Sequence, residues 1–306
     1  MSILYRFEAT KGERMRMTKS LITLGTLFLL AVTFGCGGSG GGSSNGSSTG
    51  TVSLSMTDAK PMLPENVTNC FVTIDEVLVH STGGGWQSLP MKQNPYIIDL
   101  LQFSDGFTTE FVPPVNLPSG KYTQVRLSVT SAVLRFDNGG TTEDVTVTIP
   151  SENLKTDKNF DFDVAEGGFV DITVDFDLSK SIVVEGPSGS PSYKLKPVLH
   201  LVKTTEAATI QGSISNTSIP TENSYVIISV VALSNNEEYT RVRVDKNTTA
   251  GATTTDYTIF WIVPNQDYRV YVDYDPETEV PQAFDADKPV LAADVGPGET
   301  ATVNFP

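Results

Sequence analysis

Carboxylates are the one functional group that this sequence carries in abundance, with 36 Asp and Glu residues against two His and two Cys. In the run FVDITVDFDLSKS, which starts at Phe169, the acids Asp171, Asp175 and Asp177 alternate with apolar residues. A period of two is typical of a β-strand and places the three acids on one face. Same-face neighbours lie about 6.5–7 Å apart, so Asp175 and Asp177 could share a hard cation through intervening ligands.

If this acidic face binds an ion, the pattern predicts a weak calcium site at Asp171, Asp175 and Asp177, with a Kd of roughly 0.1–1 mM as in extracellular modules. Carboxylate oxygens favour calcium over zinc, and no other metal or cofactor is expected. In the alternative interpretation the acids bind nothing and form a solvated strand face whose charges prevent aggregation.

Histidine and cysteine offer little further chemistry. His80 and His200 lie within strand-like runs, and neither has a nucleophile-elbow motif nearby, so both are interpreted as structural and no catalytic residue is predicted. The chain contains no His-x-x-x-His or Cys-x-x-Cys pair for zinc. Cys70, within a strand-like run, is expected to be a small buried hydrophobe.

The charge distribution excludes one class of partner. The formal net charge is −15 overall. Residues 1–35 carry five basic and two acidic residues, so the remaining chain carries a net charge of −18. A body this acidic repels phosphates, and nucleic-acid binding is excluded.

The amino terminus reads as a targeting segment. Arg16 and Lys19 precede the apolar run 21–34, which at about 1.5 Å per residue is too short to span a bilayer. A basic region, a short apolar core and a small residue before the break indicate a secretory signal peptide over residues 1–35. The Gly/Ser-rich residues after Cys36 form a flexible tether over residues 36–50.

The junction at Cys36 resembles a bacterial lipobox, which implies that this cysteine is lipidated and holds the protein to a membrane. In a cell with two membranes, Gly37 after the cysteine is similar to lipoproteins sent to the outer membrane. The alternative is an uncleaved membrane anchor with an incidental cysteine.

The elements that would position these residues are strands. From residue 51 onward, short Val-, Ile-, Thr- and Phe-rich runs alternate with Gly- and Pro-containing turns, and only residues 97–103 suggest a helical turn. This pattern predicts an all-β chain of two antiparallel β-sandwich domains, covering residues 51–203 and 204–306. Parallel α/β nucleotide-binding folds are excluded, because the helices and the Gly-rich phosphate motifs are missing.

The two predicted sandwiches share one weak sequence similarity. Pro118 precedes Tyr122 by four residues, and Pro264 precedes Tyr268 by the same spacing. In each case a proline-initiated turn leads into a strand whose tyrosine ring can cover a sandwich end while its hydroxyl finds a backbone partner. Duplication and independent recruitment of two sandwiches both remain open.

Residues 51–203 resemble the bacterial and archaeal domain-of-unknown-function family 4382, through SLSMTDA, FVTIDEVLVHSTGGGW, IDLLQ, LPSGKYTQVRLSV, DFDLSKSIVV and YKLKPVLHLV. Residues 204–306 resemble carboxypeptidase-regulatory-like, transthyretin-type sandwiches, through IQGSIS, YTIFWIVPNQDYRVYVDY and ETATVNF. The first resemblance implies architecture and an envelope location, without an assigned activity.

Together these features predict a noncatalytic, lipid-anchored cell-envelope protein that acts as a binding, adhesion or structural module. Its expected partners are the membrane and an unknown envelope protein or polysaccharide. The alternative is a carbohydrate-active or hydrolytic envelope protein that uses exposed carboxylates. A hydrolase should place two carboxylates and an aromatic wall in one concave pocket, whereas a binding or scaffolding module should scatter its acids over convex faces.

Overall fold

The computed structural model describes residues 48–150, 153–155, 160–187, 190–274, 276 and 290–306. The predicted signal peptide, Cys36 and most of the predicted tether lie outside the described residues. Gly46–Pro306 forms one compact unit. Within the described part of the chain, no helix is long and apolar enough to cross a membrane.

The first half of the described chain is a series of thirteen strands interrupted by two helical turns. The 3₁₀ turn is Leu100–Phe103, at the position that the sequence suggests, and the α-helical turn α1 is Leu178–Ser181. The strands are β1 (Thr49–Thr57), β2 (Val67–Ser81), β3 (Gly85–Leu89), β4 (Tyr96–Asp99), β5 (Thr109–Pro118), β6 (Gly120–Asp137), β7 (Thr142–Thr146), β8 (Asn153–Lys155), β9 (Phe162–Val164), β10 (Phe169–Phe176), β11 (Ile182–Glu185), β12 (Ser192–Leu195) and β13 (Leu199–Lys203).

These strands form two main sheets. One has the order β13-β10-β1-β5, in which β1 pairs parallel to β10 and antiparallel to β5. The other is seven-stranded and is built on the long pair β2–β6, flanked by β3 and β7, with β4 added to β2 and with β8 and β9 added to β6. Alternate residues of both sheets bury their apolar side chains in one cluster, which runs from Val52 to Leu201.

The second half of the chain forms a smaller pair of sheets with its own apolar cluster, from Ala208 to Phe305. The sheet orders are β17-β14-β20 and β16-β15-β18-β19. The strands are β14 (Ala208–Ser215), β15 (Tyr225–Ala232), β16 (Glu237–Asp245), β17 (Thr254–Ile262), β18 (Gln266–Asp273), β19 (Val290–Val295) and β20 (Thr300–Thr302). The prediction of an all-β fold with antiparallel sandwich sheets is confirmed.

Tyr122 and Tyr268, the two tyrosines of the shared sequence pattern, occupy equivalent positions. Tyr122 donates its hydroxyl to the carbonyl of Pro118 at 2.9 Å, and Tyr268 donates to the carbonyl of Val263 at 2.8 Å. Both rings are fully buried, each at the start of a strand. Each hydroxyl thus ties its strand to the turn that precedes it, and the predicted role of the two tyrosines is confirmed.

The acidic strand differs from its sequence pattern in two respects. On β10 the polar Thr173 and Asp175 are as buried as the apolar residues that alternate with them, so the strand is covered on both faces. The strand also ends at Phe176, and Asp177 accepts a hydrogen bond from the backbone N–H of Lys180 as the N-cap of α1. The alternative of a solvated strand face is therefore wrong for Asp175 and Asp177.

Candidate functional site

Of the three predicted calcium ligands, Asp175 and Asp177 lie in the interior and Asp171 is half-buried. Asp171 accepts a 2.6 Å hydrogen bond from the hydroxyl of Ser53 on the neighbouring strand. It lies four residues before Asp175 on β10, roughly 13 Å along an extended strand. A cation shared by Asp175 and Asp177 would thus require ligands other than Asp171. Among the described residues, no group of three or more His, Cys, Asp and Glu side chains is arranged to hold a metal.

A third buried carboxyl, which the sequence reasoning missed, belongs to Asp58. Its Oδ1 accepts a 3.0 Å hydrogen bond from the backbone N–H of Leu178, the first residue of α1. The side chains of Asp58, Asp175 and Asp177 are 2%, 4% and 0% exposed, respectively. One oxygen of Asp58 and one of Asp175 have no hydrogen-bond partner in the described structure, whereas the Asp177 carboxyl lies near the hydroxyl of Thr240. One feature of the sequence could have indicated this buried acid: Asp58 directly follows the apolar strand of the SLSMTDA motif.

Burial changes the protonation of all three carboxyls. Loss of solvation, reinforced by neighbouring carboxylate charge, holds the pKa of Asp58 and of Asp175 well above the ordinary range. Burial also raises the pKa of Asp177 to about 6, opposed by the charge of Lys180 and by its backbone hydrogen bond. Asp58 and Asp175 therefore resist ionisation unless a positive charge approaches them.

His200 faces Asp177 but does not form a charged pair with it. The His200 Nε2 atom lies 3.9 Å from Oδ2 of Asp177, beyond hydrogen-bonding distance. Burial, followed by the charge of Lys180, lowers the pKa of His200 to about 3, so the imidazole is neutral at physiological pH. Its ring packs 4.1 Å from the ring of Tyr239 on β16. This packing supports the structural interpretation of His200.

The acids Asp58 and Asp175 line a cavity of about 410 Å³ between the first sandwich and two edge strands of the second. Its walls come from the segment after β1, the loop before β5, one residue of β10, and stretches of β16 and β17. The lining residues are Asp58, Ala59, Lys60, Asp105, Gly106, Asp175, Val242–Asp245 and Asp256–Trp261. This volume lies within the range of small-ligand sites.

The positive charges of the cavity are already matched by acids. Lys60 Nζ lies 2.5 Å from Oδ2 of Asp245, and Arg243 contacts Oδ1 of the same carboxylate at 2.9 Å. Arg243 also contacts Glu65 at 2.9 Å and lies over the ring of Tyr225. The bases are thus held at the wall by pairs within the protein.

Aromatic side chains border the mouth of the cavity. Phe260 is 37% exposed, and Phe107, beside the lining residue Gly106, is 69% exposed. A Cβ atom at Gly106, whose φ is +85°, would lie 3.0 Å from the Phe260 ring, so only glycine permits this close approach. We call Phe260 and Trp261, which both line the cavity, the aromatic lip.

Trp261 has an unusual backbone at the end of β17. Its φ is +62°, which is rare for a bulky residue, and it lies within an irregular pairing of β17 with β14. Its indole N–H has no hydrogen-bond partner among the described residues. Irregular pairings of this kind redirect side chains, here one that lines the cavity.

A second cavity of about 710 Å³ lies against His200 and Tyr239. Its charged groups are occupied within the protein: Lys180 donates to the carbonyls of Glu238 and Tyr239, and the Glu238 carboxylate pairs with Arg241. The smaller cavity is therefore the candidate site, because its buried carboxyls retain oxygens without a partner.

Comparison with known proteins gives a family match for the first sandwich. The model of DUF4382, a domain of unknown function, matches residues 49–197, in agreement with the sequence motifs. No match was found among curated protein sequences.

Three solved structures show weak similarity to the chain. A leucine-rich repeat protein from Bacteroides thetaiotaomicron VPI-5482 has 11% identity and a TM-score of 0.24, over 85% of this chain and 26% of its own. The Bacillus anthracis TIE protein has 10% identity and a TM-score of 0.20, over 84% and 34%. The fimbrial anchor protein Mfa2 from Porphyromonas gingivalis has 10% identity and a TM-score of 0.17, over 74% and 79%. This chain thus spans about a quarter and a third of the first two proteins, and scores this low carry no conclusion about its function.

Proposed function

We propose that this chain is a noncatalytic binding module of the cell envelope, anchored by a lipid on Cys36, and that its ligand site is the cavity between the sandwiches. In a cell with two membranes its location is the outer membrane, and its partner is an envelope protein or a polysaccharide. The second sandwich is proposed to be of the carboxypeptidase-regulatory-like, transthyretin type, on its sequence motifs.

One observation carries the choice of site. Asp58 Oδ2 and Asp175 Oδ1 are buried without a partner beside the cavity. A buried polar atom left unsatisfied costs about 1–3 kcal/mol, so a fold retains such atoms where they serve a purpose. Each of these oxygens has less than 1 Å² of accessible surface, so a ligand that donates hydrogen bonds to them would recover this cost once the side chains turn toward the cavity.

The protonation of the cavity favours binding over hydrolysis. A glycosidase needs one carboxyl protonated and its partner ionised. Here burial raises the pKa of both Asp58 and Asp175. Because Asp58 and Asp175 lie in similar environments, neither carboxyl is marked as the acid or as the base of a hydrolytic pair.

The second candidate, a carbohydrate-active hydrolase, is favoured by one specific observation. Asp58 and Asp175 share one concave cavity with Phe260 and Trp261, which is the arrangement that the sequence reasoning set as the mark of a hydrolase. Incubating the native full chain with envelope polysaccharide decides between the two. Release of reducing ends that is lost in Asp175→Asn would establish the hydrolase and overturn the noncatalytic proposal.

Blocking the cavity tests the binding site. Thr258 is exposed on β17 and lines the cavity, so Thr258→Trp fills the space while keeping a residue that suits a strand. Asp294→Asn on β19 is the matched control, since β19 and β16 are at opposite edges of one sheet. After crosslinking in intact envelopes, the native chain and the control should co-purify with the same partner, and Thr258→Trp should not. Equal recovery with all three chains would overturn the site.

Cys36→Ala tests the anchor. If Cys36 carries the lipid, the variant should leave the membrane fraction or accumulate as an unprocessed precursor, because one apolar anchor is removed. Fractionation and intact-mass measurement provide the readout. An unchanged membrane fraction together with an unchanged mass would contradict lipidation.

A further inference from the structure

The cavity contains acids that no base of the protein neutralises. Lys60 and Arg243 are paired with Asp245, whereas the side chains of Asp105 and Asp256 form no ion pair or hydrogen bond within the described chain. Deeper in the wall are Asp58 and Asp175. Four carboxyl groups therefore face one space without a matching cation, in a protein whose net charge of −15 attracts positive ligands.

The buried acids independently indicate what chemical group would be bound. Asp58 and Asp175 are more than nine-tenths buried, and each has one oxygen without a partner. An ammonium group has three N–H donors and no acceptor, so it could satisfy both oxygens at once after the two side chains turn toward the cavity, because each oxygen has less than 1 Å² of accessible surface in this structure. Its charge would also favour the ionised form of the two acids, which burial otherwise keeps protonated.

The aromatic side chains fit the same ligand. Phe260 and Trp261 belong to the cavity wall. Aromatic faces attract cations, and they pack equally well against an alkyl chain. A cavity with acids at depth and aromatics at the mouth thus suits a cation at the end of an apolar stem.

We propose that the cavity binds the ammonium group of a lysine side chain presented by a partner protein of the envelope. This inference rests on the proposed function and specifies its ligand. The slender stem of lysine places the charge beside Asp58 and Asp175 while its methylenes contact the aromatic lip. An amino sugar carries its ammonium directly on the ring and lacks such a stem.

Calorimetry on the purified full chain in nonionic detergent tests the proposal. The probe is Nα-acetyl-lysine methylamide, and the matched neutral probe is Nα-acetyl-norleucine methylamide, which keeps the apolar stem and lacks the ammonium. The lysine probe should bind at least tenfold more tightly. Titrations near pH 7 in two buffers of different ionisation enthalpy should show proton release, because the cation favours the ionised carboxyls.

Three variants locate the interaction. Asp58→Asn and Asp175→Asn should each weaken the lysine probe at least tenfold, while Asp294→Asn should leave its affinity unchanged. If the buried variants do not fold, Asp256→Asn on the exposed wall should still weaken binding about threefold, since it removes one of the facing charges.

Two results would overturn this proposal. One is equal affinity for the lysine and norleucine probes, and the other is tighter binding of glucosamine than of the lysine probe. Either could occur while Thr258→Trp still abolishes partner recovery, in which case the cavity remains the binding site and only the ligand assignment fails. If Thr258→Trp retains the partner, the proposed site itself fails.

Discussion

Asp177 shows how one carboxyl group can serve the fold and strain it at once. One oxygen caps α1 through the backbone N–H of Lys180, and the other is buried. The cap stabilises the turn by about 1 kcal/mol. The second oxygen makes ionisation costly, which is why burial raises the pKa of Asp177 to about 6.

Asp177→Asn should remove a pH dependence of stability. Because the folded pKa of about 6 exceeds the ordinary value of 3.8, the stabilisation is complete below pH 3.8 and is lost as the pH rises through 6. Asn retains the cap and does not ionise. The unfolding free energy of the variant relative to the native chain should therefore increase by about 2 kcal/mol between pH 4 and pH 7.5.

Urea denaturation at the two pH values provides the measurement. His200 has a lowered pKa and the opposite pH dependence, being stabilising above its ordinary range and destabilising as the pH falls toward 3. Because His200 lies 3.9 Å from Asp177, its contribution does not simply cancel, and both chains are therefore compared in a His200→Gln background. Asp294→Asn, at an exposed site, should show no such change; a native-like profile for Asp177→Asn would contradict the assignment.

At the scale of elements, β14 depends on the absence of one side chain. A Cβ atom on Gly212 would lie 1.7 Å from the carbonyl oxygen of Val303, just beyond β20. The N–H of Val303 donates to Gln211, so the segment after β20 is held against β14 at this point. The close approach of the two backbones requires glycine.

Gly212→Ala should destabilise the second sandwich, because the methyl group must displace backbone rather than a flexible side chain. Overpacking of this kind costs about 1–3 kcal/mol or more, which for a sandwich of roughly 100 residues is a fall in Tm of about 4–24 °C. Thermal unfolding followed by circular dichroism gives the shift. Gly83→Ala, where a Cβ meets no atom within 4 Å, is the control, and equal Tm values for the two variants would refute the argument.

At the scale of the whole molecule, two apolar clusters are joined through polar contacts. The clusters divide between Leu201 and Ala208. Contacts across the division include Lys180 with the carbonyls of Glu238 and Tyr239, and the ring packing of His200 on Tyr239. The two apolar cores are thus separate, but polar groups of the first sandwich are shielded from solvent by the second sandwich.

Residues 51–203 expressed alone are expected to unfold in one cooperative thermal transition, because their apolar cluster is closed within that range. The Tm should be lower than that of the full chain, since His200 loses the cover of Tyr239. Calorimetry measures both. A molten or insoluble product would indicate that the two sandwiches share one core.

The sequence predicted the fold class because strand alternation and turn residues are local signals. The same locality made Tyr122 and Tyr268 predictable, as each hydroxyl bonds within five residues along the chain. The cavity could not be predicted, since it brings together Asp58, Asp175 and Phe260 from distant segments. The alternating pattern of β10 was misleading for a related reason. Such a pattern indicates a strand with one buried face, but Asp175 lies on the second face of β10, which is also covered.

The position of β1 has a mechanical consequence for an anchored protein. β1 begins at Thr49, within the last two residues of the predicted tether, and the strand lies inside its sheet, bonded to β10 on one side and to β5 on the other. A pull on the tether therefore acts on a strand whose two hydrogen-bonded edges share the load. Pulling along β1 would have to shear both ladders together, and the lifetime under force would depend on the unfolding rate rather than on equilibrium stability. If the module is anchored and holds a partner against flow, it would resist unfolding better because the pulling force is applied to this doubly paired strand.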